Sequence, residues 1–549
     1  MTEKKLLSIL KRFCVFYSLF FHEIMLGSSV MFPDIKERKI LDRIFWFLLS
    51  LHFLFWSFAV PIFMPFYRSD TVELTIIGRQ WVVATQRHGA FNSWVLEILS
   101  QVTGGANFVP YLAAQIAILI AVWSVRQLGK EFLSYRMATL SALSLLVYYF
   151  FTYESTNFNN STFMEAFTPL TLYWVFKAFQ TNRMKYWIGT GFALAGGIYC
   201  EFSMFLVVLA IVSFMFVNAE ARKYWRAPGP YVTTGVCFLL FIPLLIWLFE
   251  SNFSLFTYAK WSLSRGEPSC WKWALYFLAG QIPVILPLLL VLVPELGVGW
   301  KWNRSHIWGK EIKNQFLTFM IFFPLLFTVC ISVINQQRVA PVNGSQIWPI
   351  LPIFLIHTAA KVRDDFISFR RSLGIIFAGM ILWGGIAFIS VYYSPVFRGE
   401  VSRRYYPGKE LAAEVTRLWE EHFQTPVPYL RGDDWPCDAV AIYGKDRPEI
   451  FSPLWSSEED CRKKGCVLLW QIPDKKGRIR TQNHFMNDDF YYSENQEPAP
   501  EWLAKFPDRI ELPMIELRYA TSFRSEPVFV KIALVPPEGA GLGNFPAKN

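Results

Sequence analysis

The segment DTVELTIIGRQWVVATQRHGAFNSW, residues 70–94, lies between the first two strongly hydrophobic runs of the chain, which places it at a membrane surface. Asp70 and Glu73 are one helical turn apart in it, and Arg87 and His88 follow. Ionisable groups at the end of a membrane-spanning helix are costly to keep near lipid, so they mark a functional site by default. The remaining chain is predicted to form a frame that holds this loop against a lipid-borne substrate.

The 549-residue chain has the composition of a polytopic α-helical membrane protein. Hydrophobic residues make up 53% and aromatic residues 18% of it, and its mean hydropathy is +0.28. Only 17% of the residues are charged, compared with about 25% in a soluble domain. The N-terminal segment 1–40 is predicted to be interfacial or cytoplasmic and retained, because it lacks a cleavage site. About eleven transmembrane helices are predicted from the hydrophobic runs 42–66, 107–125, 137–153, 163–179, 186–199, 202–217, 231–249, 272–294, 315–334, 346–360 and 372–393.

Lysine and arginine residues are concentrated in alternate loops, as the positive-inside rule requires. The rule predicts a cytoplasmic N-terminus and places the first outer loop, 67–106, and everything after Tyr393 on the outer side. The net charge of +10 therefore reflects membrane orientation and does not indicate nucleic-acid binding. The few cations on the outer side become candidates for ligand contact: Arg68, Arg79, Arg87, Lys260, Arg265 and Arg338.

The chain changes character after the last hydrophobic run. A transmembrane catalytic domain is predicted over 41–396, and a periplasmic soluble α/β domain over 397–549, where charged residues and proline are frequent. The soluble part opens with a helical pattern at Gly408–Phe423. Strand-like runs follow at Val427–Leu430, Ala439–Tyr443, Cys466–Gln471, Arg509–Leu512 and Val528–Ala533.

Cysteine spacing leaves two questions open. On the outer side Cys437 could form a disulfide with Cys461 or Cys466, and the sequence does not choose between them. The spacing of cysteine and histidine residues does not indicate a zinc site. A divalent cation at Asp70 and Glu73 stays open, but two acids without further ligands do not support it.

Asp70 and Glu73 are the candidate catalytic residues. An arbitrary Asp-x-x-Glu is usually a solvated pair, but this loop continues into an amphipathic segment, 91–99, that could lie in the interface. A carboxylate beside low-dielectric lipid has a raised proton affinity and can act as a general base toward a hydroxyl acceptor.

The outer cations and polar residues are candidates for substrate binding. Ordinary snorkelling of lysine and arginine at the interface is the alternative for the cations. The candidates for binding a carrier phosphate are Lys260, Arg265, Arg338, His88 and Arg87. The candidates for contacting the sugar or the acceptor are Asn159, Asn160, Glu165, Glu201 and Tyr258, although such residues are also common in ordinary loops.

Several segments, in their order, resemble the GT-C membrane glycosyltransferases. The resemblance rests on the Asp-x-x-Glu after the first span, on GAFNSW, and on FNNSTFMEAFTPLTLYWVFKAFQTNRMKYWIGTGFALAGG. It continues through IPLLIWLFESNFSLFTYA, RRYYPGKELAAEVTRLWEEHF, PYLRGDDWPCDAVAIYGKDRPEIF and GCVLLWQ. Within this dolichyl-phosphate-mannose mannosyltransferase-like superfamily, the chain is most similar to the aminoarabinose transferase and lipid A galacturonosyltransferase group.

The resemblance implies a GT-C fold and an inverting glycosyltransferase. Such enzymes move a sugar from a polyprenyl-phosphate carrier to lipid A, lipopolysaccharide or another cell-envelope acceptor at the outer face of the bacterial inner membrane. The family's catalytic acids match Asp70 and Glu73, whereas a family Lys or Gln followed by Pro matches His88 and Gly89. The acidic residue in the second outer loop of the aminoarabinose transferases matches no single position between Asn159 and Glu165. The expected partners are the lipid-linked donor, the acceptor and membrane lipids, with no nucleic acid, no certain cofactor and a monomeric state.

Two other function classes stay open at this stage. A transporter or flippase of a lipid-linked saccharide would require essential charges in mid-span and repeats between halves, and neither is visible in the sequence. A catalytically degenerate membrane subunit is the second alternative, and the departure at His88 and Gly89 favours it.

Overall fold

The fold is described from a computed structural model of the chain. It describes residues 33–64, 66–263, 269, 271–298, 300–336, 338–398, 401, 403–452, 455–472, 501–519, 521 and 527–539. The predicted N-terminal segment as far as residue 32 and the candidate Arg265 lie outside these residues. The chain divides into two compact units, Met1–Phe47 and Leu48–Asn549. In the first unit the described residues form the beginning of a long helix, in which the rings of Phe45 and Trp46 meet edge to face.

Helices account for most of the described chain. A five-residue π-helix, Phe55–Ala59, separates the first two of them, and single 3₁₀ turns occur between several others. In chain order the α-helices are α1 (Pro33–Leu54), α2 (Val60–Phe63), α3 (Ser69–Arg79), α4 (Phe91–Thr103), α5 (Val109–Phe132), α6 (Tyr135–Leu143), α7 (Ser161–Thr181), α8 (Met184–Cys200), α9 (Phe205–Val217), α10 (Pro228–Glu250), α11 (Ser254–Leu263), α12 (Lys272–Leu296), α13 (Arg304–Trp308), α14 (Ile312–Ile334), α15 (Leu351–Thr358), α16 (Phe366–Arg398), α17 (Gly408–Phe423), α18 (Asp434–Tyr443) and α19 (Glu458–Lys464).

All eleven predicted hydrophobic runs contain helical structure, but they differ in length. The run 137–153 forms only α6 followed by 3₁₀ turns, and the run 346–360 forms a 3₁₀ turn and the short α15. Within the described residues, six helical segments are both long and apolar enough to cross a membrane: Ile35–Phe63, Val109–Phe132, Pro228–Glu250, Lys272–Leu296, Ile312–Ile334 and Phe366–Tyr393.

Large apolar side chains on these helices face outward. On α10, Phe238, Leu239 and Phe249 are each more than half exposed, although that helix contains no charged residue before its final Glu250. A continuous apolar surface of this kind is unfavourable in water and favourable against hydrocarbon. The exposure pattern is therefore that of a helical protein embedded in lipid.

The C-terminal part forms a mixed β-sheet. Its strands are β1 (Tyr429–Gly432), β2 (Glu449–Ile450), β3 (Cys466–Gln471), β4 (Ile510–Glu511), β5 (Ile515–Leu517) and β6 (Val528–Val535). The order is β2-β1-β3-β6-β4, with β5 also paired to β6. β1 runs parallel to β2 and β3, whereas β6 runs antiparallel to β3, β4 and β5. All six residues of β3 are buried, so both faces of the sheet are covered, as is usual for a strand with parallel pairing.

The hydrophobic core continues from the sheet into the membrane-proximal helices. Trp419 of α17 and Val530 of β6 belong to the same buried cluster as Trp56 and as Val72 and Ile76 of α3. The sheet domain and α3 therefore share one core, and burial of this apolar surface fixes α3 in place.

Two predictions in the soluble part are wrong. Ala439–Tyr443, predicted as a strand, forms the second half of α18, because a short apolar run does not reveal by itself whether it is a strand or a buried helix. A disulfide from Cys437 is absent, since Cys437, Cys461 and Cys466 are all free thiols. Cys437 lies in the core cluster shared with α3, whereas Cys461 and Cys466 lie in a second cluster.

Candidate functional site

The site is built on the first turn of α3. Arg68, in extended conformation, precedes the helix, and Asp70 lies in its first turn, where unpaired backbone N–H groups favour a negative charge. Thr71 then donates a hydrogen bond to the carbonyl of Phe158 at 3.1 Å. Residues 71–78 are buried, whereas Asp70 is half-buried. The helix therefore presents one carboxylate at its open end while its body is held in the core.

Asp70 is held by the second outer loop. Asn157 donates through Nδ2 to Asp70 Oδ2 at 2.9 Å and to Glu154 Oε1 at 3.3 Å. Glu154 in turn pairs with Arg68 at 3.1 Å and accepts a hydrogen bond from the Tyr149 hydroxyl at 3.0 Å. The amide of Asn157 thus bridges two carboxylates, and Arg68 balances the charge of one of them.

Glu73 forms a two-point ion pair with Arg87. Nη1 of Arg87 lies 2.9 and 3.0 Å from the two carboxylate oxygens, and the Glu73 side chain is only 8% exposed. Arg87 also donates through Nε to the hydroxyl of Tyr258 at 3.2 Å. Burial disfavours the charged guanidinium, but Glu73, Tyr258 and then Asp70 outweigh burial and raise the pKa of Arg87. Glu73 is therefore a paired carboxylate, and Asp70 is the more accessible of the two acids.

A tight turn delivers Arg87 to this position. Ala84 and Gly89 form an isolated antiparallel bridge, and the N–H of Thr85 donates to the carbonyl of His88 at 2.8 Å. A Cβ added to Gly89 would lie 2.3 Å from the carbonyl oxygen of Tyr199. The departure from proline at this position therefore has a steric reason, because only glycine fits against the end of α8.

His88 is an internal side chain of that turn. It is 1% exposed, and its Nδ1 lies 3.0 Å from the carbonyl oxygen of Gly89. Burial lowers the pKa of His88 to about 4, so the ring is neutral at pH 7. A neutral ring provides no charge for a phosphate, so we no longer assign His88 to the charged contacts with the carrier.

The other candidate cations occupy two places. Lys260 is exposed on α11, two residues after Tyr258, and is thus near the Arg87 contact. Arg338 is exposed and packs over the rings of Trp273 and Tyr276, at 5.6 and 5.1 Å, at the start of α12. Asp70, Glu73, Arg87 and Tyr258 are brought together, whereas Arg338 is held against a different helix.

The predicted polar contacts are mostly engaged in local structure. The side chain of Asn159 accepts a hydrogen bond from the N–H of Ser161 at 3.0 Å at the start of α7. The carbonyl of Asn160 accepts from the side chain of Asn92 at 2.8 Å. Glu201 accepts from the Ser161 hydroxyl at 2.7 Å, and Glu165 is buried within α7. Tyr258 is the candidate of this group that contacts the site.

Sequence reasoning missed Glu154 and Asn157. A usable signal existed, since Glu154 is an acid in the second outer loop, where the resembling transferases also carry one, and Arg68 precedes α3 as a matching cation. Within the part of the chain that the structure describes, no three His, Cys, Asp or Glu side chains converge as metal ligands.

Comparison with known proteins identifies this arrangement. A family model for dolichyl-phosphate-mannose-protein mannosyltransferases matches residues 87–247. ArnT from Cupriavidus metallidurans bound to undecaprenyl phosphate is similar over 88% of this chain and 97% of its own, at 14% identity and a TM-score of 0.57. Its apo state gives the same coverage at 13% identity and a TM-score of 0.56. No curated protein sequence matches the chain significantly. The chain has an ArnT-like GT-C fold, and its resemblance to the GT-C glycosyltransferases is confirmed.

Proposed function

We propose that the protein is an inverting glycosyltransferase that moves a sugar from a polyprenyl-phosphate carrier to lipid A, lipopolysaccharide or another cell-envelope acceptor. The observation that carries this proposal is the accessible Asp70 carboxylate, fixed by Asn157 beside the Glu73–Arg87 pair. A general base and a fixed cation are the two groups that such a transfer needs. The similar ArnT structure holds undecaprenyl phosphate, which supports a polyprenyl phosphate as the carrier.

In this mechanism Asp70 accepts the proton of the acceptor hydroxyl as its oxygen attacks the anomeric carbon of the donor sugar. The bond between that carbon and the phosphate oxygen breaks, and the carrier leaves as polyprenyl phosphate. Attack on the face opposite the leaving group inverts the anomeric centre. The hydrogen bond from Asn157 fixes one oxygen of Asp70, which orients the carboxylate toward the hydroxyl.

Cations stabilise the departing phosphate, whose negative charge grows in the transition state. Arg87 uses Nη1 for Glu73 and Nε for Tyr258, which fixes the plane of its guanidinium. Its Nη2 is the donor that we assign to the carrier phosphate. Lys260 on the neighbouring helix, together with Arg265 and Arg338, completes the proposed set.

The donor sugar is proposed to lie between Asp70 and Tyr258. Tyr258 has an aromatic face and a hydroxyl, and both suit a sugar ring. The proposed roles of Asn159, Asn160, Glu165 and Glu201 are less direct, since their local hydrogen bonds shape the floor of the second outer loop.

The proposed reaction takes place on the outer side of the bacterial inner membrane. We place the N-terminus in the cytoplasm and the sheet domain in the periplasm, with about eleven spans and a monomeric chain. The distribution of lysine and arginine supports this orientation.

Loss of the proposed base tests the function. The deletion strain first identifies donor and acceptor, because mass spectrometry of its envelope lipids and polysaccharides shows which sugar is missing. Asp70→Asn and Glu73→Gln are then assayed in membranes with that polyprenyl-phosphate sugar. We expect Asp70→Asn to lower kcat by about 100-fold or more, whereas Glu420→Gln, an exposed acid of the sheet domain, keeps normal activity. Full transfer activity in both active-site variants would remove the proposal.

A further inference from the structure

A second cavity lies between α3, α4 and the sheet domain. It has a volume of about 290 Å³ and is lined from the helical side by residues such as Thr75, Arg79 and Ser100. The sheet domain contributes the segment 442–445 and Arg447. This position places the cavity where the membrane-proximal helices meet the soluble domain, through which an outer ligand could enter.

The lining of this cavity is cationic. Arg79, Lys445 and Arg447 line it, and no aspartate or glutamate does. The nearest acid is Glu97, which is 5% exposed and pairs with Arg447 at 2.8 Å behind the lining. Burial, and then the neighbouring Arg447, lower the pKa of Arg79 to about 10. Arg79 therefore remains charged at pH 7 in a place where a further negative group would stabilise it.

The guanidinium of Arg79 is only partly satisfied. Its Nη1 donates to the carbonyl of Ala441 at 2.8 Å, which fixes the side chain across the cavity wall. Its Nε is buried and has no hydrogen-bond partner among the described residues. An unsatisfied buried donor costs about 1–3 kcal/mol, and an anion bound in the cavity would supply the missing acceptor charge.

This cavity is separate from the proposed reaction site. Asp70 and Arg79 are nine residues apart on one helix, about two and a half turns, so they lie on opposite faces of α3. Thr75 and Arg79, one turn apart, form the face toward the cavity. A ligand in the cavity would therefore not occupy the position of the donor phosphate beside Asp70.

The exposed face of α4 indicates the depth of the cavity. Leu96 and Ser100 line it, whereas Ile98 and Val102 point away and are 50% and 79% exposed. An amphipathic helix with exposed apolar residues on one face lies in the membrane interface. The cavity is therefore at the level of lipid head groups, whose phosphates carry negative charge.

We propose that the cavity lined by Arg79, Lys445 and Arg447 is a second anion site, which binds the phosphate group of a membrane lipid head group. Arginine side chains bind phosphate oxygens through paired N–H donors, and Lys445 adds a point charge at the rim. The bound phosphate links α3 to the sheet domain and so supports the helix that carries Asp70. This site requires no transfer activity and is independent of the proposed function.

The test measures binding by the full-length purified chain. Inorganic phosphate is titrated in detergent at constant ionic strength, and phosphatidylglycerol retention is measured by native mass spectrometry. The main variant combines Arg447→Gln with Glu97→Gln, so that no buried charge is left unpaired. Lys445→Gln is a second variant, because Lys445 is exposed and pairs only with the surface residue Glu420. Arg417→Gln is the matched control, since Arg417 is an exposed cation of the same domain outside the cavity.

We expect the double variant to weaken phosphate binding or lipid retention by about tenfold or more, Lys445→Gln by about threefold, and Arg417→Gln not at all. An effect on lipid retention alone identifies the head group as the ligand. An effect on inorganic phosphate alone identifies a soluble phosphate and corrects the proposed source. If neither ligand responds to the cavity variants, the site does not exist. None of these results depends on whether Asp70 is catalytic.

Discussion

At the scale of single residues, the site depends on how two carboxylates are kept apart in role. Glu73 accepts two hydrogen bonds from Arg87, whereas Asp70 accepts one from the neutral amide of Asn157. A carboxylate in a two-point pair with arginine is strongly stabilised as an anion and is a poor proton acceptor. The partners therefore assign the base to Asp70 and a supporting function to Glu73.

Asn157 provides a direct test of that assignment. A hydrogen bond to a charged group contributes about 1.5–3 kcal/mol, so we expect Asn157→Ala to lower kcat by about 10- to 100-fold. KM for the donor should change little, because Asn157 contacts Asp70 and Glu154 rather than the cations. Thr156→Val is the control, since the adjacent Thr156 hydroxyl donates only to the local carbonyl of Tyr153. A rise in KM at constant kcat would show that Asn157 binds substrate instead.

Asp433 makes the stability of the sheet domain dependent on pH. Burial raises the pKa of Asp433 to about 6, although the N–H of Gln471 donates to its carboxylate at 2.7 Å. Because this pKa lies above the usual 3.8, the fold prefers the protonated form. The corresponding stabilisation is present at low pH and is lost as the pH rises through about 6. Its size is on the order of 3 kcal/mol for two pKa units.

Asp433→Asn should remove this dependence, because it keeps an oxygen acceptor for Gln471 and carries no charge. We expect the variant to have a higher Tm than the wild type at pH 7.5 and a smaller difference at pH 5. Thermal unfolding followed in detergent at both pH values measures this. A variant less stable than the wild type at pH 7.5 would mean that the carboxylate is needed in its charged form.

At the scale of elements, α3 is positioned by close contact with α4. A Cβ on Gly78 would lie 2.4 Å from the carbonyl oxygen of Ser93, so the two helices meet at glycine. We expect Gly78→Ala to lower the free energy of unfolding by about 1–3 kcal/mol through overpacking and to reduce kcat as α3 shifts. Gly235→Ala on α10 is the control, since nothing lies within 4 Å of an added Cβ there. Equal stability of the two variants would show that the contact yields without cost.

The sequence predicted elements well where periodicity was strong. The amphipathic helix α17 and the strand β3 have the predicted bounds, Gly408–Phe423 and Cys466–Gln471. It failed at Ala439–Tyr443, where burial on both sides removes the periodicity that distinguishes a helix from a strand. In the site, Asp70 and Arg87 were predicted from their place in the chain. Asn157 was not selected, because its contact spans 87 residues and depends on tertiary packing.

At the scale of the whole molecule, the sheet domain and the membrane-proximal helices are interdependent. Trp419, Val72 and Ile76 belong to one buried cluster, and Arg79 donates to the carbonyl of Ala441 in the sheet domain. The domain therefore acts as a support for the helix that carries Asp70. This arrangement has a topological consequence: the site and the sheet domain must be on the same side of the membrane.

Cysteine labelling tests that consequence and the proposed orientation together. Arg417 of α17 and Lys310, between α13 and α14, are both exposed. In cells expressing the full chain, we expect Arg417→Cys to react with a membrane-impermeant maleimide, and Lys310→Cys to react only after lysis. Cys437, Cys461 and Cys466 are buried, so they contribute little background, and the unsubstituted chain corrects for the other cysteines. The reverse pattern would put Asp70 in the cytoplasm. A nucleotide sugar could then reach it directly, and a lipid-linked donor would no longer be required.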